Sequence, residues 1–217
     1  MDGVSSPNQF MKVLIINGSP RANGNCSLLI KEMEKQFHEA RVETTVIELR
    51  SNQIPGCVAC GYCHSHDGCV RKDIVNEAAK ALENADGLVV VSPVYFGSPN
   101  GSVISFMDRL FYSANYPLKY KVGAAFAVAR RGGTVASFDV LNKYFTIRGM
   151  PVASGDYWNN GFGREKGEIE KDLEGLRNAR VVAKRMAFLM SAIADAKEKY
   201  PELLEEEPRV ATHFIGN

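Results

Sequence analysis

The chain has 217 residues, 45% of them hydrophobic and 24% charged, the balance of a globular protein with one full core. Its net charge of +1 lacks the basic excess of a nucleic-acid binder, and no apolar run approaches the ~20 residues that cross a bilayer. Residues 1–10 lack the basic start and apolar centre of a signal peptide and read as a disordered leader. The five cysteines therefore point to a reducing cytoplasm and to metal or redox work rather than to disulfides.

Residues 11–17 form a continuous apolar run, the pattern of a strand buried on both faces. A small polar loop follows, then a helix with Leu29, Met33 and Phe37 on one face. Strand, loop and helix in this order place an anion at a helix N-terminus. The hydroxyls of Ser19 and Ser27, the Asn25 amide, Arg21 and backbone N–H groups are expected to converge on one phosphate. Cys26 lies in the same loop and is counted with the cofactor-binding residues. A small packed thiol is its simplest role, and a sensor thiol acidified by the helix terminus is the alternative. The loop has neither the Lys-Ser/Thr of a nucleoside-triphosphate loop nor a G-x-G-x-x-G pattern. A single phosphate held without metal suits a mononucleotide such as FMN; the alternative is a polar turn whose serines only cap the helix.

Residues 42–49 read as a second strand, and the cysteine loop 56–70 follows it. Cys57, Cys60, Cys63 and Cys69 are spaced C-x2-C-x2-C-x5-C. Thiolate softness favours an iron–sulfur cluster or tetrahedral zinc, and the tight C-x2-C-x2-C run is the spacing of [4Fe–4S] ligation. Structural zinc more often uses two C-x2-C pairs around a longer insert. Free thiols or a redox dithiol remain the other reading, and His64 and His66 read as solvated.

A helix is expected over residues 73–84 and a buried strand over 86–92. Pro93, Val94, Tyr95, Phe96 and Gly97 open a loop too rich in turn formers to extend that strand. Val103, Met107 and Leu110 mark the next helix. Residues 122–129 form a further strand, ending in Arg130, Arg131, Gly132 and Gly133. A helix over 135–148, a last short strand over 150–154 and a helix over 168–196 complete the pattern. The glycine-rich aromatic segment 154–164 reads as a binding loop or as one anchored by Trp158. Residues 197–217 form an acidic C-terminal tail.

Alternating strands and helices imply an α/β three-layer sandwich with a parallel sheet. Five strands in order 2-1-3-4-5 give the flavodoxin-like solution, which binds ligands between strands 1 and 3. The phosphate loop and the Tyr95 loop follow those two strands and so meet at one crevice. There the Tyr95 and Phe96 rings offer a wall or simply pack into a core or interface. Residues 130–133, with one of Arg130 and Arg131 turned inward, offer charge and amides to the flavin edge that reduction makes negative, or form a solvated loop.

These motifs together resemble the NADPH-dependent FMN reductases, above all the iron–sulfur flavoproteins. The resemblance rests on residues 16–21 with 24–27, residues 92–97 and the cysteine loop. It implies tightly bound FMN, a [4Fe–4S] cluster on the four cysteines that passes electrons to FMN, and a homodimer or homotetramer. NAD(P)H as donor and a small partner such as ferredoxin rest on the same resemblance. The expected function is thus a cytoplasmic FMN-dependent oxidoreductase. Its alternatives are a cluster-free NAD(P)H-dependent reductase of FMN, quinones or nitro compounds, and a non-enzymatic redox or metal sensor. No side chain is singled out as catalytic.

Overall fold

The computed structural model describes residues 10–50, 52–208 and 210. The leader expected over residues 1–10, apart from Phe10, and the last seven residues of the expected tail lie outside this set.

Aliphatic residues on consecutive positions build the middle of the sheet. Met11–Asn17 (β1), Gly87–Tyr95 (β3) and Val122–Ala129 (β5) are buried along most of their length, as parallel strands covered on both faces must be. Val42–Glu48 (β2) lies outside β1 and shows partial exposure. β1 pairs in parallel with both β2 and β3, and β3 pairs in parallel with β5. Side chains alternate across the pleat, so Val13 and Ile15 face one helical layer and Leu14 and Ile16 the other. Asn25–Glu39 (α1) and Leu173–Lys199 (α5) cover the first face with Leu29, Met33, Phe37, Val182 and Met186. Ile74–Glu83 (α2), Gly101–Ser113 (α3) and Thr134–Ile147 (α4) cover the second with Leu82, Phe106, Leu110 and Phe145. Each such fully buried side chain contributes about 1.5–3 kcal/mol.

The flavodoxin-like layer order is as the sequence implies, and two elements differ in detail. The Pro93–Asn100 stretch is not an open loop. Ser98–Pro99 (β4) turns back antiparallel on the end of β3, with Val94 opposite Pro99 and Tyr95 opposite Ser98. Phe96 and Gly97 both take positive φ, 51° and 76°, as a two-residue type I′ hairpin requires. The fifth parallel strand also differs. Residues 150–154 contribute one bridge, Val152 beside Gly123, and the pairing resumes only at Asn160–Phe162 (β6) against Ala127–Ala129. The detour between them is pinned to α5 by Asn178, which accepts the Asp156 N–H and donates to the Tyr157 carbonyl and Asn159 Oδ1. Asp172 then caps α5 and accepts the Phe162 N–H at 2.7 Å. The sheet order is β2-β1-β3-β5-β6, with β4 beside β3. No described helix is long and apolar enough to cross a membrane.

Candidate functional site

β1 ends in Asn17, a fully buried amide. Its Nδ2 donates to Ser27 Oγ at 3.0 Å and to Glu48 Oε1 at 3.1 Å, while its Oδ1 accepts the Ser19 N–H at 3.1 Å. One side chain thus joins the strand end, β2, the loop and the start of α1. Gly18 has no room for a Cβ, which would run into the Val103 side chain. α1 opens behind Gly24 with no side-chain cap and no acidic residue in its first turn. Its leading N–H groups therefore leave an uncapped partial positive charge at the loop.

The far wall comes from residues 163–169. Asn25 Nδ2 donates to the Glu165 carbonyl at 3.0 Å, and Asn25 Oδ1 accepts the Gly167 and Ile169 N–H groups. Arg21 Nη1 donates to the Arg164 carbonyl at 3.0 Å. A Cβ on Gly163 would come within 2.6 Å of Asn25 Nδ2, so glycine allows the two loops to close up. The resulting cavity of about 190 Å³ is lined by Ser19, Pro20, Arg21, Asn25, Cys26, Pro93, Val94, Tyr95, residues 128–130, Gly163 and Arg164. Three arginines and no carboxylate line it. Its volume is below the roughly 300 Å³ where whole small-molecule sites begin, so it suits the phosphate end of a nucleotide. Burial pushes the Cys26 thiol up to about 12, against a smaller lowering by its Ser19 hydrogen bond. Burial thus favours a protonated packing role for Cys26 over that of an acidified sensor thiol.

The hairpin beside the cavity is braced from within. Ser92 Oγ donates to the Pro93 carbonyl at 2.9 Å and accepts the Asn100 N–H at 3.0 Å, while Asn100 caps α3 through the Ser102 N–H. Gly133, at φ 89°, starts α4 so close that a Cβ there would lie 2.8 Å from Gly97 Cα.

On the other face of the sheet, the cysteine loop packs along α3. Cys57 and Cys60 are exposed, and Cys63 and Cys69 half-buried. All four line one cavity of about 490 Å³ together with Val58, Val70, Arg109 and Tyr112. Positive φ at Ala59, Gly61 and Gly68 curls the backbone around it. Burial pushes the Cys63 thiol up, and the Cys69, Cys57 and Cys60 sulfurs add to that rise, so the four sulfurs sense one another. The thiols ring the cavity; among the described residues no three His, Cys, Asp or Glu side chains close on a single ion.

Main-chain clamps hold the loop. Asn76 Oδ1 accepts the Cys69 N–H at 2.7 Å and its Nδ2 donates to the Cys69 and Arg71 carbonyls. Asn115 Nδ2 donates to the carbonyls of Cys63 and His66. His66 stacks on Tyr62 at 4.0 Å. Arg109 of α3 is buried and reaches Asp73, Cys69, Pro55 and Arg71. Burial alone would lower its pKa, but the Asp73 hydrogen bonds and the Cys69 sulfur outweigh that and raise it.

The family described as NADPH-dependent FMN reductase matches residues 11–165. The chain belongs to that family. Within the FMN reductases its branch is that of the iron–sulfur flavoproteins. It is 34% identical over 191 residues to an iron–sulfur flavoprotein of Methanocaldococcus jannaschii, covering 84% of this chain and 99% of that one. A second, from Methanosarcina thermophila, is 32% identical over 194 residues, covering 87% of this chain and all of the relative. The fold likewise matches a flavodoxin from the domain Archaea, with a TM-score of 0.57 at 16% identity over 83% of this chain and 99% of the flavodoxin. This FMN reductase relative is a flavin-dependent oxidoreductase.

Of the residues expected at the cofactor, Ser19, Arg21, Asn25, Cys26, Pro93, Val94, Tyr95 and Arg130 share the phosphate-sized cavity. Ser27, Phe96, Gly97, Arg131, Gly132 and Gly133 lie outside its lining. The Ser27 hydroxyl is taken by Asn17, and the Asn25 amide by the 165–169 backbone. Phe96 stands fully exposed at the hairpin tip. The four cysteines share their own cavity. Sequence reasoning missed Asn76 and Arg109; it held Asn17 and Ser92 only within motif stretches, and Gly163 and Arg164 only within the 154–164 segment, with no role for any of them singly. Asn17 and Ser92 left a trace, as polar residues directly after the apolar runs Val13–Ile16 and Leu88–Val91.

Proposed function

We propose that the chain binds FMN in the crevice beyond β1, β3 and β5 and a [4Fe–4S] cluster on Cys57, Cys60, Cys63 and Cys69, and exchanges electrons between them. The observation that carries this reading is that all four cysteines line one cavity. Ligands spread around a cavity suit a cluster, whose cysteines sit at the corners of a body larger than one ion. The relatives' name, iron–sulfur flavoprotein, supports the same assignment.

Bound FMN supplies hydride acceptance and single-electron release, and the cluster one-electron exchange. The chain supplies the rest. Arg21, Arg130, Arg164 and the open N–H groups of α1 offset the phosphate charge. Tyr95, half-exposed beside the cavity, offers its ring to the flavin. Arg130, which lines the cavity, and the backbone of residues 131–133 would supply charge and amides to the pyrimidine edge of the flavin. α3 connects the two sites: Asn100 at its start is tied to the crevice through Ser92, and Arg109 walls the cysteine cavity. From Gly101 to Arg109 the helix rises roughly 12 Å. We place the protein in the cytoplasm as a homodimer or homotetramer, reduced by NAD(P)H or by a small redox protein such as ferredoxin.

A visible spectrum of anaerobically purified protein, with iron, sulfide and zinc assayed on the same sample, tests the proposal. Flavin bands with about four irons per FMN, as a cubane requires, bear it out. Flavin bands without iron would move the chain to the cluster-free reductases.

A further inference from the structure

The cysteine cavity contains a buried cation that the reading so far uses only as part of its wall. The Arg109 side chain is 1% exposed, and its five N–H donors divide between two edges. Asp73 takes one edge, with Oδ2 at 2.8 Å from Nη1 and Oδ1 at 2.9 Å from Nη2. The other edge turns to sulfur: Nε and Nη2 both donate to Cys69 Sγ at 3.4 Å. Nη1 and Nη2 also reach the carbonyls of Pro55 and Arg71. A bidentate carboxylate alone would fasten the loop to α3. Two N–H groups aimed at one cysteine sulfur go further, because a thiol is a poor acceptor and a metal-bound thiolate a good one.

We propose that Arg109 is a positioning residue for the cluster: it fixes Cys69 as a ligand and raises the cluster's reduction potential through these two N–H···S bonds. The assignment rests on the cluster reading above. Adding one electron makes an iron–sulfur centre more negative, and hydrogen bonds to its sulfurs together with a nearby positive charge stabilise that state. Asp73 acts with the opposite sign, since its carboxylate offsets part of the guanidinium charge.

The test compares wild type, Arg109→Lys and Asp73→Asn, purified anaerobically, by iron and sulfide content, EPR-monitored redox titration and thermal melting. Lysine keeps the charge but cannot serve both Asp73 and the sulfur. Asparagine keeps the α2 cap, in which Asp73 Oδ1 accepts the Val75 N–H at 3.1 Å. The expected result is a more negative midpoint in Arg109→Lys and a less negative one in Asp73→Asn. Full iron with an unshifted midpoint in Arg109→Lys overturns the proposal, even if the protein melts earlier, because Arg109 then only fastens the loop. If Arg109→Lys is insoluble or loses its iron, Asp73→Asn decides: a midpoint unmoved or more negative overturns it. Wild type without iron is a different failure, sinking the cluster reading and this inference with it.

Discussion

Cys26 shows how a single side chain in the phosphate loop takes its chemistry from burial. Its thiol is pushed from 9.0 to about 12, chiefly by burial, so folding keeps it protonated where the unfolded chain would ionise it. The folded pKa lies above the unfolded one, so this stabilising contribution is complete below pH 9 and is lost as pH rises towards 12. Wild type should therefore lose stability over that window at up to about 1.4 kcal/mol per pH unit from this group alone. Cys26→Ala should lose it less steeply. Denaturant unfolding of both proteins at a series of alkaline pH values measures the difference; parallel slopes would show that Cys26 ionises freely in the folded protein. Composition and spacing place a thiol at a helix start, but only packing reveals that it is sealed. Arg109 was illegible for a similar reason. An arginine in a surface helix ordinarily reads as solvated, and the one hint was its place in the row Phe106, Arg109, Ser113, spaced three and four apart and buried throughout.

Among the elements, the hairpin of β3 and β4 and the N-terminus of α4 depend on each other. Gly97 and Gly133 both require positive φ, at 76° and 89°, but only Gly133 is also crowded. A Cβ at Gly97 meets nothing within 4 Å, whereas one at Gly133 meets Gly97 Cα at 2.8 Å and Val94 Cγ1 at 3.0 Å. Gly97→Ala should cost about 1 kcal/mol, the backbone penalty alone. Gly133→Ala should cost roughly 2–4 kcal/mol, since backbone must also shift, and should weaken FMN binding by displacing Pro93, Val94 and Tyr95. Chemical denaturation and flavin titration of the two variants check this, and equal effects would mean that the contact is readily relieved. Sequence periodicity located the three central strands because apolar residues fill both of their faces. It did not locate the hairpin, because its turn formers are the residues that a type I′ turn also uses. It placed the edge strand at residues 150–154, where only Val152 bridges Gly123. The longer pairing at 160–162 hid behind asparagine and glycine, whose weak strand preference is overridden by the ladder to β5.

At the scale of the molecule, the two cavities share no lining residue. The phosphate-sized cavity lies beyond the ends of β1, β3 and β5 at the start of α1, and the cysteine cavity beside α3. None of the four loop cysteines belongs to either apolar core. Replacing Cys57, Cys60 and Cys63 together by serine should abolish iron binding. FMN affinity should stay within about twofold, because none of these three side chains lines the cavity beside Ser19 and Arg21. Iron assay and flavin fluorescence titration of the triple variant measure both, and a tenfold loss of FMN affinity would instead show that the cavities are coupled.

The asparagine and arginine clamps of the cysteine loop bear also on how the working protein is made. Asn76, Asn115 and Arg109 shape the loop with the chain's own amides, carbonyls and one ion pair. In small zinc domains the polypeptide waits for its metal before it folds; on the cluster reading proposed above, these clamps predict that the polypeptide comes first. Maturation is then the loading of a finished scaffold, in either order. If the cluster proposed above is its cargo, a cell short of iron should accumulate folded, yellow protein instead of unfolded chain bound for degradation.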